Sequence, residues 1–136
     1  MPHQNLEQLR AAHALKRANP TSTDEAAKPK ALDRSAINKL PALILSNGLL
    51  ATTAFCIAPG GGDNKKDMKS ALDAAASHLA ERGLIGSDYT SAKGIIDDLS
   101  AVGRTVIDLQ RATAETLAYL GYLKRFAPKK TGESED

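Results

Sequence analysis

The sequence predicts an all-α bundle of about five helices, and three observations carry that prediction. Apolar residues recur at three- and four-residue steps through most of the 136-residue chain, which is the spacing of amphipathic helices, and no segment alternates as a half-buried strand does. Aromatic residues make up only 4% and tryptophan is absent, while alanine and leucine dominate, a composition that favours packed helices over sheets. The apolar runs are separated by clusters of Gly, Pro, Asn, Asp and Ser that break helices. The length suits one helical domain, residues 1–136, with a core that needs no disulfide or metal.

Taken in order, Asn5 with Gln8 three positions later forms a capping box that opens a first helix, expected to reach about Ala18. Leu9, Ala12 and Leu15 are its apolar side, and Arg10, His13 and Arg17 line up on the other. The run from Asn19 and Pro20 to Lys30 has no apolar period, so a mobile loop is expected at about 20–31. Asp33 and Ser35 are candidate caps for a second helix to about Ile57. Asn47-Gly48 is a hairpin signature, but the flanking Leu43-Ile44-Leu45 and Leu49-Leu50-Ala51 do not alternate. Ile37, Leu40, Ile44, Gly48, Ala51 and Phe55 instead share one stripe, which predicts a buried central helix kinked at Pro41, with Gly48 at a close helix crossing.

A glycine-rich break at about 58–66 follows, and Asp63 or Asn64 can cap a third helix carrying Met68, Ala71, Leu72, Ala75 and Leu79. Gly83 and Leu84 have the order of a glycine stop with its hydrophobic contact. Thr90 or Ser91 opens a short fourth helix with Ile95, Ile96, Leu99 and Val102, despite Gly94. After Gly103 comes a long last helix, and Pro128 begins a polar tail, 128–136. In that last helix Val106, Leu109, Thr113, Thr116, Leu120, Leu123 and Ala127 form the expected core stripe. Its far side is less usual: Arg111, Ala118 and Arg125 recur by sevens with Ala114 and Gly121 between them. Small side chains admit a close partner, and guanidinium forks meet phosphates or carboxylates. That face is built to touch something.

The formal charge of +2 is nearly neutral, but the last six residues hold Glu133, Glu135 and Asp136 and no basic group, so the remainder carries about +5. Lys124, Arg125, Lys129 and Lys130 gather at the end of the last helix, where they also suit the helix dipole. Cys56 is the only cysteine, set between Phe55 and Ile57, and reads as a buried thiol in a reducing compartment. The amino terminus lacks the pattern of a signal peptide, and Leu40 to Ala58 is interrupted by Pro41, Asn47 and Gly48, a poor membrane span. A cytoplasmic protein with no membrane partner is expected.

Chemistry is hard to find in the sequence. His3, His13 and His78 lie far apart, and none has a second ligand at metal spacing. Gly60-Gly61-Gly62 before Lys65-Lys66 lacks the pattern of a phosphate loop, and Asp97-Asp98 diverge on a helix. No Ser, Cys or Thr has an evident activating base. No catalytic residue, metal, cofactor or small-molecule substrate is therefore expected. What remains is surface: Arg10, His13 and Arg17 on the first helix, and Arg111 and Arg125 on the last, can track a sugar–phosphate backbone, without the aromatic platform that reads bases.

Three segments resemble a known family: Asn5 to Leu15 its opening helix, Lys39 to Phe55 its "K-L-P-x-x-I-x-x-N-G-L" helix, and Ala114 to Ala127 its "E-x-L-x-Y-L-x-W-L-K-R-F-A" ending, with Tyr122 for the tryptophan. Together they make the chain similar to the small subunit of the type III-B CRISPR RNA-silencing (Cmr) complex. The resemblance implies an all-helical, non-catalytic protein that stacks along the inner filament of a crRNA-guided ribonucleoprotein in antiviral defence. It implies as partners the backbone subunits, the large subunit and other copies of itself, with crRNA and target RNA in the channel they line. Arg10, Arg17, Lys39, Arg111, Lys124 and Arg125 are then the candidate RNA or subunit contacts, while Pro41, Asn47 and Gly48 are structural. The alternative is a free-standing helical adaptor that binds an acidic protein partner.

Overall fold

The computed structural model describes residues 4–18 and 32–127. The expected loop at 20–31 and the polar tail at 128–136 lie outside them. The fold is all-α, with six helices and no strand among the described residues: α1 (Leu6–Ala18), α2 (Arg34–Asn47), α3 (Leu49–Ile57), α4 (Asp63–Glu81), α5 (Ala92–Leu99) and α6 (Val106–Phe126). α4 is the hub and touches all five others, whereas α1 rests mainly on α6 and only lightly on α4.

The reason α4 can be central lies in its residues. Met68, Ala71, Leu72, Ala74, Ala75, Ala76 and Leu79 are all buried, and four of these seven are alanines that let neighbouring helices approach on several sides. Ile37, Leu40 and Ile44 from α2, Leu49 from α3, Ile95 from α5 and Leu120 and Leu123 from α6 complete the core at 2% exposure or less. Each such side chain contributes about 1.5–3 kcal/mol by leaving water.

The helix ends follow local chemistry. Asn5 and Gln8 exchange backbone-to-side-chain bonds of 2.8 Å each at the start of α1. Asp33 caps α2 by accepting from the Ala36 N–H. A second capping box, Thr105 with Asp108, opens α6. At the end of α4 the Leu84 N–H bonds the Leu79 carbonyl and the Gly83 N–H that of Ala80, the expected glycine stop. α4 starts one residue earlier than the Asp63 cap predicted, with Gly62 at the cap position. α5 is capped from a distance: Ser91 makes no side-chain capping bond, and the Ala92 N–H donates instead to Asp73 Oδ1 on α4 at 2.7 Å. Gly94 is required there by packing, since a Cβ at that position would stand 2.7 Å from Tyr89 Cβ.

The single central helix is corrected. The chain is helical through Pro41, and the break falls at Gly48, where φ 94° and ψ 158° separate α2 from α3. That backbone region is essentially reserved for glycine. A Cβ at Gly48 would meet nothing within 4 Å, so the residue is there for its backbone and marks no close helix crossing. Because the break resets the helical phase, the expected stripe does not continue: Phe55 is 55% exposed and Ala51 is exposed, while Leu49, Thr52, Thr53 and Cys56 turn inward. Burial pushes the Cys56 thiol up from its ordinary pKa, as expected of an unreactive core cysteine.

Two further expectations fail at the α5–α6 turn. Val102 lies beyond the end of α5 and is fully exposed, and Val106, expected on the core stripe, is 70% exposed. The turn is set instead by Asp98, buried on α5, which accepts from the Gly86 N–H and, at 2.6 Å, from Arg104 Nε. The Arg104 bond holds the Asp98 carboxyl below the ordinary carboxylate range against the effect of burial. Arg104 is thus held back to Asp98, directly before the Thr105 cap, and α6 opens with Val106 in water.

Candidate functional site

α1 is turned the other way from the sequence reading. Leu15 is 48% exposed and Ala12 is exposed, whereas Arg10, His13, Ala14 and Arg17 face the bundle. The cause is a polar cluster waiting on α4 and α6. Arg10 Nε and Nη2 donate to the two oxygens of Glu115, both at 2.7 Å. The Glu115 side chain is only 6% exposed, so it must be paired to be buried at all. His78 donates from Nε2 to the same carboxylate at 2.8 Å. Because a carboxylate only accepts, the proton on His78 sits on Nε2, and its buried Nδ1, which has no partner among the described residues, is a bare lone pair.

His13 completes the cluster. Its Nδ1 lies 2.6 Å from the Tyr119 hydroxyl, and its Nε2 lies 3.0 Å from Glu81 and 3.2 Å from Ser77 Oγ. Glu81 fixes the proton on Nε2, so Tyr119 donates to Nδ1. The His78 ring stacks on Tyr119 with centroids 4.5 Å apart and meets His13 edge-on at 5.4 Å. Burial lowers the pKa of both histidines, in each case outweighing a carboxylate neighbour. Burial also raises the Tyr119 phenol. Glu115 is pushed up by burial but pulled further down by Arg10 and then His78. Near neutral pH the cluster therefore holds one ion pair, two neutral imidazoles and a neutral phenol. Its donors and acceptors are largely spent on one another, and it acts as a polar lock for α1. Tyr122, which donates to Glu7 at 2.9 Å, adds a second tie between α6 and α1.

Sequence reasoning paired neither His13 with His78 nor Arg10 with Glu115. One signal was available. Ala112, Glu115, Thr116, Tyr119, Leu120 and Leu123 are the buried residues of α6, so a carboxylate stands within an otherwise uncharged stripe at helical spacing. Such a carboxylate demands a cationic partner, and Arg10 is the one that reaches it.

The remaining candidate contacts stand differently. Lys39 on α2 and Arg111, Lys124 and Arg125 on α6 are exposed, and Arg17 is half-buried beside the cluster. None of these five forms an ion pair among the described residues, and Arg125 donates only to the Gly121 carbonyl of its own helix. Ala114 is exposed and Ala118 and Gly121 are partly so, hence the small-residue stripe between the arginines is open. On a helix rising 1.5 Å per residue, Arg111 and Arg125 lie about 21 Å apart along one face. Arg10 is the exception among the six candidates, being committed to Glu115 with its side chain 22% exposed.

Among the described residues no helix is long and apolar enough to cross a membrane. Comparison with curated proteins and with solved structures gives no match. Comparison with protein families does: the family described as CRISPR-associated protein (Cas_Cmr5) matches residues 6–129, a span from the first residue of α1 to just past the end of α6. The chain therefore belongs to the Cmr5 family and is a small subunit of the type III-B CRISPR complex.

Proposed function

We propose that this subunit is a non-catalytic cytoplasmic element that stacks along the inner filament of the complex and helps hold the channel in which crRNA pairs with target RNA. The observation that supports this reading is the division of labour among its cations. Arg10 is spent inside the fold, while Lys39, Arg111, Lys124 and Arg125 are exposed without a carboxylate partner among the described residues. Unpaired arginines and lysines on helix faces attract phosphates and release counterions, and the open stripe of Ala114, Ala118 and Gly121 lets a partner come close. Among the described residues Phe55 is the one exposed aromatic ring on the helices, and a single ring is no platform for base reading, so contact is to backbone or to neighbouring subunits rather than to sequence. In the buried cluster the unengaged His78 Nδ1 is closed off from solvent, and target cleavage and second-messenger synthesis fall to other subunits.

The test is charge reversal at both ends of the stripe, Arg111→Glu with Arg125→Glu, assayed for assembly with the other subunits and crRNA and for target-RNA retention across a salt series. Exposed positions change stability by less than about 0.5 kcal/mol, so folding is preserved. Each of the two arginines that meets a phosphate flattens the log–log salt dependence by about 0.7 when reversed, about 1.4 if both do; where the stripe meets protein, assembly fails even without target. Wild-type behaviour in both assays refutes a role for the stripe. RNA turnover by the purified subunit, abolished by one substitution, refutes the non-catalytic reading.

A further inference from the structure

Between the start of α1, the turn that ends α4 and the first half of α6 lies a cavity of about 440 Å³. Its apolar lining is Leu6, Leu9, Leu84 and Ala114. Arg10 and Glu115 also reach it but are bound to each other. Arg82 and Arg111 are the other two lining residues, and neither forms an ion pair with a described residue. Arg82 Nε is buried with no hydrogen-bond partner among the described residues, and its sequence neighbour Glu81 is turned to His13. Arg111 makes no hydrogen bond or ion pair with a described residue. Asp108, one turn earlier, feels its field but is committed to the Thr105 N–H and lies 3.9 Å from Arg104. The result is a cavity whose wall combines aliphatic side chains with two arginines, of a size that takes a small ligand or a side chain with its neighbours.

We propose that this cavity receives an acidic, apolar segment of another protein, with a side chain of leucine or phenylalanine size on the aliphatic floor and one or two carboxylates on Arg82 and Arg111. Two features favour protein over RNA. The lining has no aromatic ring on which a base would stack, and its only acceptor side chain, Glu115, is fully engaged by Arg10 and His78, so nothing is left to read a base edge. The apolar floor, in turn, gains nothing from a phosphate but gains from a buried hydrocarbon side chain. The chain's own last six residues, although acidic, carry no apolar side chain and do not match the floor. This assignment rests on the proposed contact role of Arg111 and places that residue on the subunit side, leaving Lys39, Lys124 and Arg125 for RNA.

The experiment uses the full chain, isotope-labelled, in nuclear magnetic resonance titrations with three probes: acetyl-Glu-Leu-Glu-Phe-amide, its Gln-Leu-Gln-Phe counterpart, and a uridine hexanucleotide. The acidic peptide is expected to shift the Leu84, Arg111 and Ala114 amides, and the glutamine peptide to bind about tenfold more weakly, the loss of one charge-assisted contact. Ala114→Trp, at an exposed helical position, fills the floor and removes binding with the far-ultraviolet spectrum unchanged; Arg111→Gln weakens the acidic peptide alone. Equal binding of the two peptides, shifts caused by the hexanucleotide alone, or no shift with any probe would overturn the proposal. Because assembly is not involved, failure here is separate from failure of the channel reading, which the double charge reversal reports.

Discussion

Replacing Glu115 with alanine removes the centre of the polar lock, and its cost can be worked from the structure. The carboxylate takes two bonds from Arg10 and one from His78, all at 2.7–2.8 Å. Breaking a buried ion pair by deleting one partner costs about 3–5 kcal/mol, because the other charge stays buried and unpaired. Two features adjust that range. The Arg10 side chain is 22% exposed and can regain some water, which lowers the cost, whereas the His78 side chain is 1% exposed and its Nε2–H is left without an acceptor, which adds about 1–3 kcal/mol. A total of about 4 kcal/mol is expected, a large part of the roughly 5–15 kcal/mol available to a domain. At about 4 °C per kcal/mol for a chain of this size, the melting temperature falls by roughly 15 °C. Urea denaturation followed by circular dichroism measures the loss, and a double-mutant cycle with Arg10→Ala isolates the pair, with a coupling of about 2 kcal/mol expected. Hydrogen exchange should show α1 losing protection first. A loss below about 1 kcal/mol, or a coupling near zero, would refute the view that this pair holds α1 in place.

Stability should fall on mild acidification. His13 and His78 have folded-state pKa values below the unfolded value of about 6.5, so the unfolded chain takes up protons first and stability is lost as pH drops below about 6.5, down through their folded values. Glu115 and Asp98, lowered in the fold, add a second loss at more acidic pH, as they protonate. Urea midpoints between pH 4 and 8 would show both, and a flat profile from 7 to 5 would contradict the buried, neutral imidazoles. Gly48→Ala should destabilise by about 1–3 kcal/mol through backbone strain alone, since no neighbour lies within 4 Å of the new methyl; an unchanged denaturation midpoint would show that the α2–α3 break can close into one helix. Val102→Ser, at a fully exposed position, should leave the melting temperature unchanged.

The helices themselves were legible in the sequence because their causes are local. The capping box of Asn5 and Gln8, the Asp33 cap, the Gly83–Leu84 stop and the apolar spacing from Met68 to Leu79 act within one or two turns, and the structure has each of them. The motif-bearing segments, from Asn5 to Ala127, likewise pointed to the family that matches residues 6–129. Which face of α1 turns inward was not legible. Leu9, Ala12 and Leu15 look like a core stripe until Glu115 is known to be buried across from Arg10, 105 residues away; an ion pair made at that separation outweighs the burial of Ala12 and the half-exposed Leu15. In the same way Asp73 capping α5 from α4, and Arg104 fixing the turn that leaves Val102 and Val106 in water, depend on partners that only the packed bundle brings together. Local spacing, caps and glycine stops determined that there would be helices and most of their ends, but not the break at Gly48 or the early end of α5. The pairing of buried charges, which must be satisfied across the fold or not at all, decided how they face one another and which cations stay exposed without an ion pair among the described residues.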